Sequence, residues 1–117
     1  MPRPIPPTPP PFRGDVWDVA FPRIGVHPAV ALTTNALRGR LSSVTVVLIS
    51  GTPGPSTTHV ELGSSSGFTR YPVSYANVTD VHTLPVARCR TYRGRLSPEE
   101  LERLEDALAL VLGLPSR

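Results

Sequence analysis

Residues 44–50 have the sequence VTVVLIS, an almost continuous apolar run that is rich in β-branched side chains. Such a run is typical of a strand buried on both faces. The stretch that follows, residues 51–57 (GTPGPST), combines glycines with prolines and is predicted to be a loop. We therefore expect residues 44–50 to be the most buried strand of a β-sheet.

Shorter β-forming stretches lie on both sides of this run. Each is rich in β-branched or aromatic residues, or alternates between apolar and polar positions as half-exposed strands do. Residues 22–28 are predicted to form a loop, and residues 35–43 a turn or short helical loop. The predicted strands are residues 15–21 (DVWDVAF), 29–33 (AVALT), 58–62 (THVEL), 73–81 (VSYANVTDV) and 91–96 (TYRGRL).

The C-terminal part of the chain carries the signals of an amphipathic helix. Ser97 is the predicted N-cap, Pro98 takes the first helical position, and Glu100 completes an S-x-x-E capping box. Gly113 and Pro115 are expected to end the helix. Its apolar face consists of Leu101, Leu104, Leu108, Val111 and Leu112. Short strands followed by one such helix predict a mainly β fold, a small, strongly bent sheet or barrel with the helix packed on it.

Length and composition limit the classes of protein. The 117 residues suffice for one domain, and 39% apolar with 18% charged residues suits a small folded core. Seven of the fifteen prolines fall in residues 1–11, which we expect to form a disordered or polyproline II leader before a domain at residues 12–117. The longest apolar run is too short to span a membrane and no secretory signal precedes it, so we expect a cytoplasmic protein without membrane contact. One cysteine and three histidines exclude an internal disulfide and a cysteine-based zinc site, and we expect no cofactor.

Charge is distributed unevenly along the chain. All twelve basic residues are arginine; residues 1–98 hold ten of them against four acids, whereas residues 99–117 hold two against five acids. A basic body beside an acidic helix indicates an anionic partner such as nucleic acid. Two other interpretations stay open: the arginines reflect genomic base composition, or the charge is spread too evenly to bind anything in particular.

Several segments, in order and at matching spacing, resemble the MazF/PemK (Kid) family of toxin endoribonucleases. Residues 13–17 (RGDVW) resemble the family's R-G-[DE]-[IV]-W start, and residues 27–31 (HPAVA) its R-P-[AV]-[LV]-[VI] strand, with His27 in place of the arginine. The remaining similar segments are residues 48–52 (LISGT), 58–62 (THVEL), 79–83 (TDVHT, against D-[QN]-[IV]-R-T) and 94–101 (GRLSPEEL, against G-x-L-S-x-E-E-L). The resemblance extends over residues 13–114.

This resemblance implies a small SH3-like β-barrel of the CcdB/PemK/MazF type with a C-terminal helix. It also implies the toxin of a type II toxin–antitoxin module, a homodimer that is inhibited by a cognate antitoxin and binds DNA together with it. The implied activity is metal-independent, sequence-specific cleavage of single-stranded RNA, leaving a 2′,3′-cyclic phosphate (or 3′-phosphate) and a 5′-hydroxyl. The related CcdB toxins inhibit DNA gyrase by binding it, so the alternatives are a protein-binding gyrase inhibitor or an inactive RNA-binding relative.

Cleavage of RNA without a metal requires proton transfer at the 2′-hydroxyl and the 5′-oxygen, together with neutralisation of the phosphorane. Histidine exchanges protons at neutral pH, whereas arginine keeps its charge. The candidate catalytic residues are His27, Ser50, Thr52 and Asp80, with His27 or Asp80 as the proton acceptor. Each also has an ordinary interpretation: a histidine bonded to a backbone carbonyl, a Ser/Thr turn, or a cross-strand pair of Asp80 with His82.

The candidate substrate-binding residues carry a permanent charge, hydrogen-bonding groups, or a ring on which an unpaired base can stack. They are Arg13, Arg23, Asn77, Thr79, His82 and Tyr75, with Tyr71 as a further stacking candidate. Solvated surface arginines are the competing interpretation for Arg13 and Arg23. We expect His59 to be structural and Cys89 to be inert.

Overall fold

Six antiparallel strands and one α-helix form the fold in the computed structural model, which describes residues 9–63 and 73–115. In chain order they are β1 (Asp15–Phe21), β2 (Gly25–Ala31), β3 (Ser43–Ser50), β4 (His59–Leu62), β5 (Ser74–Pro85), β6 (Cys89–Arg95) and α1 (Pro98–Leu112). Short 3-10 turns at Asn35–Leu37 and Val86–Arg88 precede β3 and β6. The sheet order is β4-β5-β3-β2-β1-β6, so the apolar run of β3 lies inside the sheet, as predicted.

The side chains of β3 alternate between two cores. Val47 and Ile49 belong to a core shared with α1, called here the helix-side core, whereas Val44 and Val46 belong to the inner core on the other face of the sheet. Fully burying a side chain of this kind stabilises the fold by about 1.5–3 kcal/mol, so a strand that is apolar on both faces suits this position. The inner core also contains Val19, Phe21, Ala29, Ala31, Leu84 and Cys89.

The sheet is strongly bent around the inner core. β2 and β3 separate β1 from β5, which would lie roughly 14 Å apart in a flat sheet. The rings of Phe21 in β1 and His82 in β5 nevertheless lie 4.9 Å apart between centroids. This bending agrees with the predicted barrel-like fold; within the described residues the edge strands β4 and β6 do not pair, so the barrel is not closed by hydrogen bonds.

The predicted capping box begins α1. The Ser97 hydroxyl accepts the backbone N–H of Glu100 at 3.1 Å, and the Glu100 carboxylate accepts the backbone N–H of Ser97 at 2.8 Å. Gly113 ends the helix with a φ of 68°, in the left-handed region. The predicted apolar face packs through Leu108, but Val111 and Leu112 are exposed, and Leu112 lines a groove of about 430 Å³ between the last turn and the sheet.

The second strand begins earlier than the sequence predicts. β2 starts at Gly25, so the predicted loop shrinks to the three residues after Phe21, and His27 lies in a strand. Pro28 is tolerated in this strand because the pairing of β2 with β3 does not extend beyond Ala29, which leaves Pro28 at a local edge.

The fifth strand is longer than predicted and irregular. β5 ends at Pro85. Ala76 pairs with Ile49 of β3 and Val81 pairs with Val47, so an advance of five residues along β5 corresponds to only two residues along β3. The extra residues form a bulge, a feature that redirects side chains at the rims of barrels. Here the bulge reverses the alternation of side chains: even-numbered positions face the helix-side core at Ala76 and Val78 but the inner core at Leu84.

The predicted leader, residues 1–11, lies largely outside the described residues, and so does Tyr71. Where the described part begins, the Pro10 carbonyl accepts a hydrogen bond from Arg38 Nε at 2.7 Å, and the Arg38 guanidinium lies 3.6 Å from the centroid of the Phe12 ring. The start of the domain is thereby attached to the segment between β2 and β3. No helix in the described ranges combines the length and the apolar character of a membrane span.

Candidate active site

His27 lies on β2, opposite Val19 of β1. Because alternate residues of a strand share a face, its side chain lies on the same side of the sheet as Ala29 and Ala31, at the margin of the inner core. Its Nε2 lies 2.9 Å from the backbone carbonyl of Ile24. A carbonyl only accepts, so Nε2 carries the hydrogen and the other ring nitrogen, Nδ1, is the basic atom when the ring is neutral.

Asp80 and His82 follow the bulge on β5. His82 Nε2 lies 2.5 Å from Asp80 Oδ1, and both side chains are about one-third exposed, at 34% and 38%. Val46, the cross-strand partner of His82, belongs to the inner core, so this pair lies on the same face as His27. The carboxylate fixes the orientation of the imidazole and assigns the Nε2 hydrogen.

Phe21 joins these groups into one cluster. Its ring centroid lies 4.9 Å from that of His82 and 6.3 Å from that of His27. We call Phe21, His27, Asp80 and His82 the histidine cluster. It brings together two predicted catalytic residues, His27 and Asp80, and one predicted substrate-binding residue, His82. In the sequence, Asp80 and His82 follow His27 by 53 and 55 positions.

Ser50 and Thr52 lie where β3 ends. The pairing of β2 with β3 ends at Ala29 and Leu48. The next residues on the same face of the sheet are His27 on β2 and Ser50 on β3. The Ser50 hydroxyl oxygen accepts the backbone N–H of Thr52 at 3.0 Å, which is the predicted Ser/Thr turn. Since the oxygen accepts this bond, the hydroxyl hydrogen can be donated to another group.

The remaining substrate-binding candidates on β5 lie close to these groups. Tyr75 is the cross-strand partner of Ser50. Asn77 Oδ1 accepts both the backbone N–H and the hydroxyl of Thr79, at 3.1 and 2.7 Å, and so shapes the bulge. The amide nitrogen of Asn77 keeps its two hydrogens for another acceptor.

The two candidate arginines occupy different sides of the molecule. Arg23 is exposed in the β1–β2 turn, next to the Ile24 carbonyl that His27 contacts, and its φ is 75°. The Arg13 guanidinium is bonded to Glu105 of α1, at 2.7 Å, and to the carbonyl of Leu32. Arg13 therefore ties the helix to the segment after β2, on the side of the sheet opposite to the histidine cluster.

The sequence alone does not indicate that Phe21 is part of a site. Its signal was only an aromatic residue at the end of the first strand, which is typical of a core position, and it is indeed buried. Cys89 lies in the same inner core, where burial raises the pKa of its thiol to about 11. It is therefore a neutral thiol at physiological pH, which agrees with the expectation that it is inert.

Comparison with known proteins identifies the family. Residues 12–112 match the family described as PemK-like, MazF-like toxin of type II toxin–antitoxin systems. The chain belongs to this toxin family. This MazF-like chain is 29% identical over 107 residues to the endoribonuclease MazF1 of Mycobacterium bovis, a match that covers 90% of the chain and 95% of the relative.

Solved structures agree with this assignment. A mycobacterial endoribonuclease in complex with its cognate antitoxin has a TM-score of 0.81 at 28% identity, covering 92% of this MazF-like chain and 99% of the other. The Mycobacterium tuberculosis toxin MazF-mt6 has a TM-score of 0.78 at 22% identity, covering 87% and 99%, which shows the shared fold. The predicted family and fold class are confirmed.

Proposed function

We propose that this chain is the toxin of a type II toxin–antitoxin module and cuts single-stranded RNA in the cytoplasm, at a specific sequence and without a metal ion. The observation that carries the proposal is the histidine cluster, which holds two imidazoles and a carboxylate on one face of the sheet. Relatives named endoribonucleases, and a structural neighbour described with its cognate antitoxin, support it. The products are a 2′,3′-cyclic phosphate (or 3′-phosphate) and a 5′-hydroxyl.

In this proposal His27 is the general base. A base must begin neutral, and the uncharged Ile24 carbonyl suits a neutral ring whose hydrogen lies on Nε2. Nδ1 then takes the proton of the 2′-hydroxyl while the 2′-oxygen attacks phosphorus and the bond to the 5′-oxygen breaks. Asp80 is less suited to this step, because its Oδ1 is engaged with His82.

The groups beside His27 are proposed to hold the scissile phosphate. Ser50 can donate its hydroxyl hydrogen to a phosphate oxygen, since its own oxygen is bonded to the Thr52 N–H. The exposed Thr52 hydroxyl is a second donor at the end of β3. Arg23, exposed in the adjacent turn, supplies the permanent positive charge that stabilises a phosphorane.

Neighbouring residues are proposed to contact the nucleotides around the cut. Tyr75, half-buried opposite Ser50, offers a ring on which an unpaired base can stack. Asn77 offers amide hydrogens to the edge of a base, and the exposed Thr79 offers a further polar contact. Arg13 is excluded from this proposal, because its guanidinium is bonded to Glu105 and Leu32 on the other side of the sheet.

The proposed function is tested by incubating the purified chain with a long single-stranded RNA in excess EDTA. We expect cleavage at a small number of sites, with ends that carry a 5′-hydroxyl. A gyrase supercoiling assay runs alongside as the control for a CcdB-like mode of action. Intact RNA together with inhibited gyrase would replace this proposal with the gyrase inhibitor, and cleavage that requires added magnesium would contradict the metal-independent mechanism.

The proposed partners also include a second copy of the chain and a cognate antitoxin. The last turn of α1 and the residues after it leave Leu110, Leu112 and Leu114 more than half exposed, and such side chains are commonly covered at an interface. Because a domain of this size buries only a modest share of its surface, further burial in a homodimer stabilises it. We expect sedimentation at micromolar concentration to give twice the mass of 12.6 kDa. A monomer under these conditions would contradict the homodimer.

A further inference from the structure

Two histidines from distant strands contact the same aromatic ring, but their polar partners differ. His27 donates from Nε2 to the neutral carbonyl of Ile24, whereas His82 donates from Nε2 to the carboxylate of Asp80. Both imidazoles lie on the inner face of the bent sheet, that of His27 on β2 and that of His82 on β5. The proposed function uses one of these imidazoles for proton transfer and leaves the second without a chemical step.

We propose that His82 is the second catalytic residue, the general acid that protonates the departing 5′-oxygen, and that Asp80 is its positioning residue. This inference rests on the proposed function. As the P–O5′ bond breaks, the electron pair goes to the 5′-oxygen, which takes the Nδ1 proton of the His82 imidazolium. The 2′-hydroxyl proton is on His27, and both histidines return to their starting forms by exchange with water.

The polar partners decide which histidine has which role. An acid must begin as the imidazolium, and the Asp80 carboxylate at 2.5 Å from Nε2 neutralises that charge while leaving Nδ1–H directed elsewhere. A base must begin neutral, and an uncharged carbonyl bonded to Nε2 of His27 suits that form. The two otherwise identical side chains therefore differ in their hydrogen-bond partners, a carboxylate for the proposed acid and a neutral carbonyl for the proposed base.

Two of the residues that lie against His82 are apolar. Val46 of β3 lies directly opposite, and Phe21 of β1 covers one side of the ring. Cys89 of β6 lies in the same inner core, and its raised pKa of about 11 keeps its proton bound at neutral pH. Within the histidine cluster, the other titratable groups are Asp80, which is bonded to His82, and His27, which contacts the same Phe21 ring.

The test compares two substrates with the same sequence, taken from a cut site mapped on a long RNA. One has the natural 5′-oxygen at the scissile bond, and the other has sulfur in that bridging position. A thiolate leaves without being protonated, so the sulfur substrate does not need a general acid. We expect His82→Gln and His82→Ala to cleave the oxygen substrate about 100-fold or more slowly than the wild type, the scale of a lost acid or base. Both variants should cleave the sulfur substrate close to the wild-type rate.

Matched variants separate this role from a structural one. Asp80→Asn should also be slow on the oxygen substrate and restored on the sulfur substrate, because it acts through His82. His27→Ala should be slow on both, since the 2′-hydroxyl must still lose its proton. His59→Gln, which changes the third histidine, should match the wild type on both, since His59 contacts Thr58 in the β3–β4 segment.

The outcomes distinguish this inference from the proposed function. A wild-type protein that leaves the oxygen RNA intact overturns the proposed function itself. Suppose that the wild type cuts the oxygen RNA and that His82→Gln has the wild-type melting temperature. If this variant is then equally slow on both substrates, or unaffected on both, His82 is not the acid. Should both His82 variants fail to fold, the Asp80→Asn variant is compared on the two substrates instead. Wild-type rates on both substrates, or an equal loss of rate on both, would contradict the proposal.

Discussion

Replacement of His27 by alanine is expected to lower the rate of RNA cleavage by about 100-fold or more, the scale of losing a general base. The loss should lie in the chemical step, because Nδ1 is the proposed atom that takes the 2′-hydroxyl proton. The fold should be preserved, since the side chain is only half-buried and its hydrogen bond to the carbonyl of Ile24 spans only three residues. Single-turnover cleavage of a labelled oligonucleotide, with melting curves of both proteins, measures this.

A second substitution distinguishes proton transfer from charge at this position. His27→Arg introduces a permanent cation that cannot accept a proton, because the guanidinium stays charged throughout the accessible pH range. We expect it to be as slow as His27→Ala. Wild-type cleavage by a well-folded His27→Ala protein would remove His27 from the mechanism, and full activity of His27→Arg would show that positive charge, not proton transfer, is what this position supplies.

A single 2′-deoxy substitution just 5′ of the scissile bond is expected to abolish cleavage. In the proposed mechanism the substrate's own 2′-hydroxyl is the nucleophile, so its removal leaves nothing to attack the phosphorus. Binding should weaken far less than cleavage, because protein–nucleic acid affinity comes largely from phosphate contacts and depends on salt. Cleavage is followed on denaturing gels, and binding by fluorescence anisotropy at two salt concentrations.

The control for this experiment is the same oligonucleotide with the deoxy position moved several nucleotides away from the cut. That substrate should be cleaved at the rate of the all-RNA substrate. Efficient cutting of the first substrate would show that water or another external nucleophile attacks the phosphorus. The role of His27 as the base for a 2′-hydroxyl would then be wrong, although the family assignment would stand.

The elements predicted best are those whose signals are local. The first strand was predicted with the bounds that β1 has, Asp15–Phe21, since its β-forming residues stop at a proline. The helix begins at Pro98, directly after the predicted N-cap Ser97, because cap, proline and glutamate lie within four residues of one another. In both cases the deciding interactions connect residues that are neighbours in the chain.

The errors come from interactions that no local pattern records. β2 extends back to Gly25 because β1 offers a pairing partner through a tight turn, which outweighs the loop signals of glycine and proline. The bulge in β5 depends on its register with β3, and that register appears only when both strands are aligned. The exposure of Leu112 follows from where the helix leaves the sheet, not from its position in the apolar face.

The same distinction applies to the site. The sequence identifies His27, Asp80 and His82 as side chains that can transfer protons. All three lie in segments that resemble those of the family, which indicates that they belong to the site. The sequence does not show that the Phe21 ring contacts both imidazoles, because the contact with His82 requires the sheet to bend until β1 and β5 meet. Nor does it show that Arg13 is engaged by Glu105, ninety-two residues later in the chain.

The position of β1 in the sheet affects the order of events during synthesis. β1 leaves the ribosome first, yet it pairs with β6 as well as β2, and Arg13 is bonded to α1. These partners are translated last, and folds dominated by such distant contacts form slowly. The inner core that supports both imidazoles includes Cys89, so it cannot be completed on a nascent chain that still lacks its last strand. Assembly of the histidine cluster is therefore coupled to completion of the sheet, since both imidazoles lie against a core that needs β6.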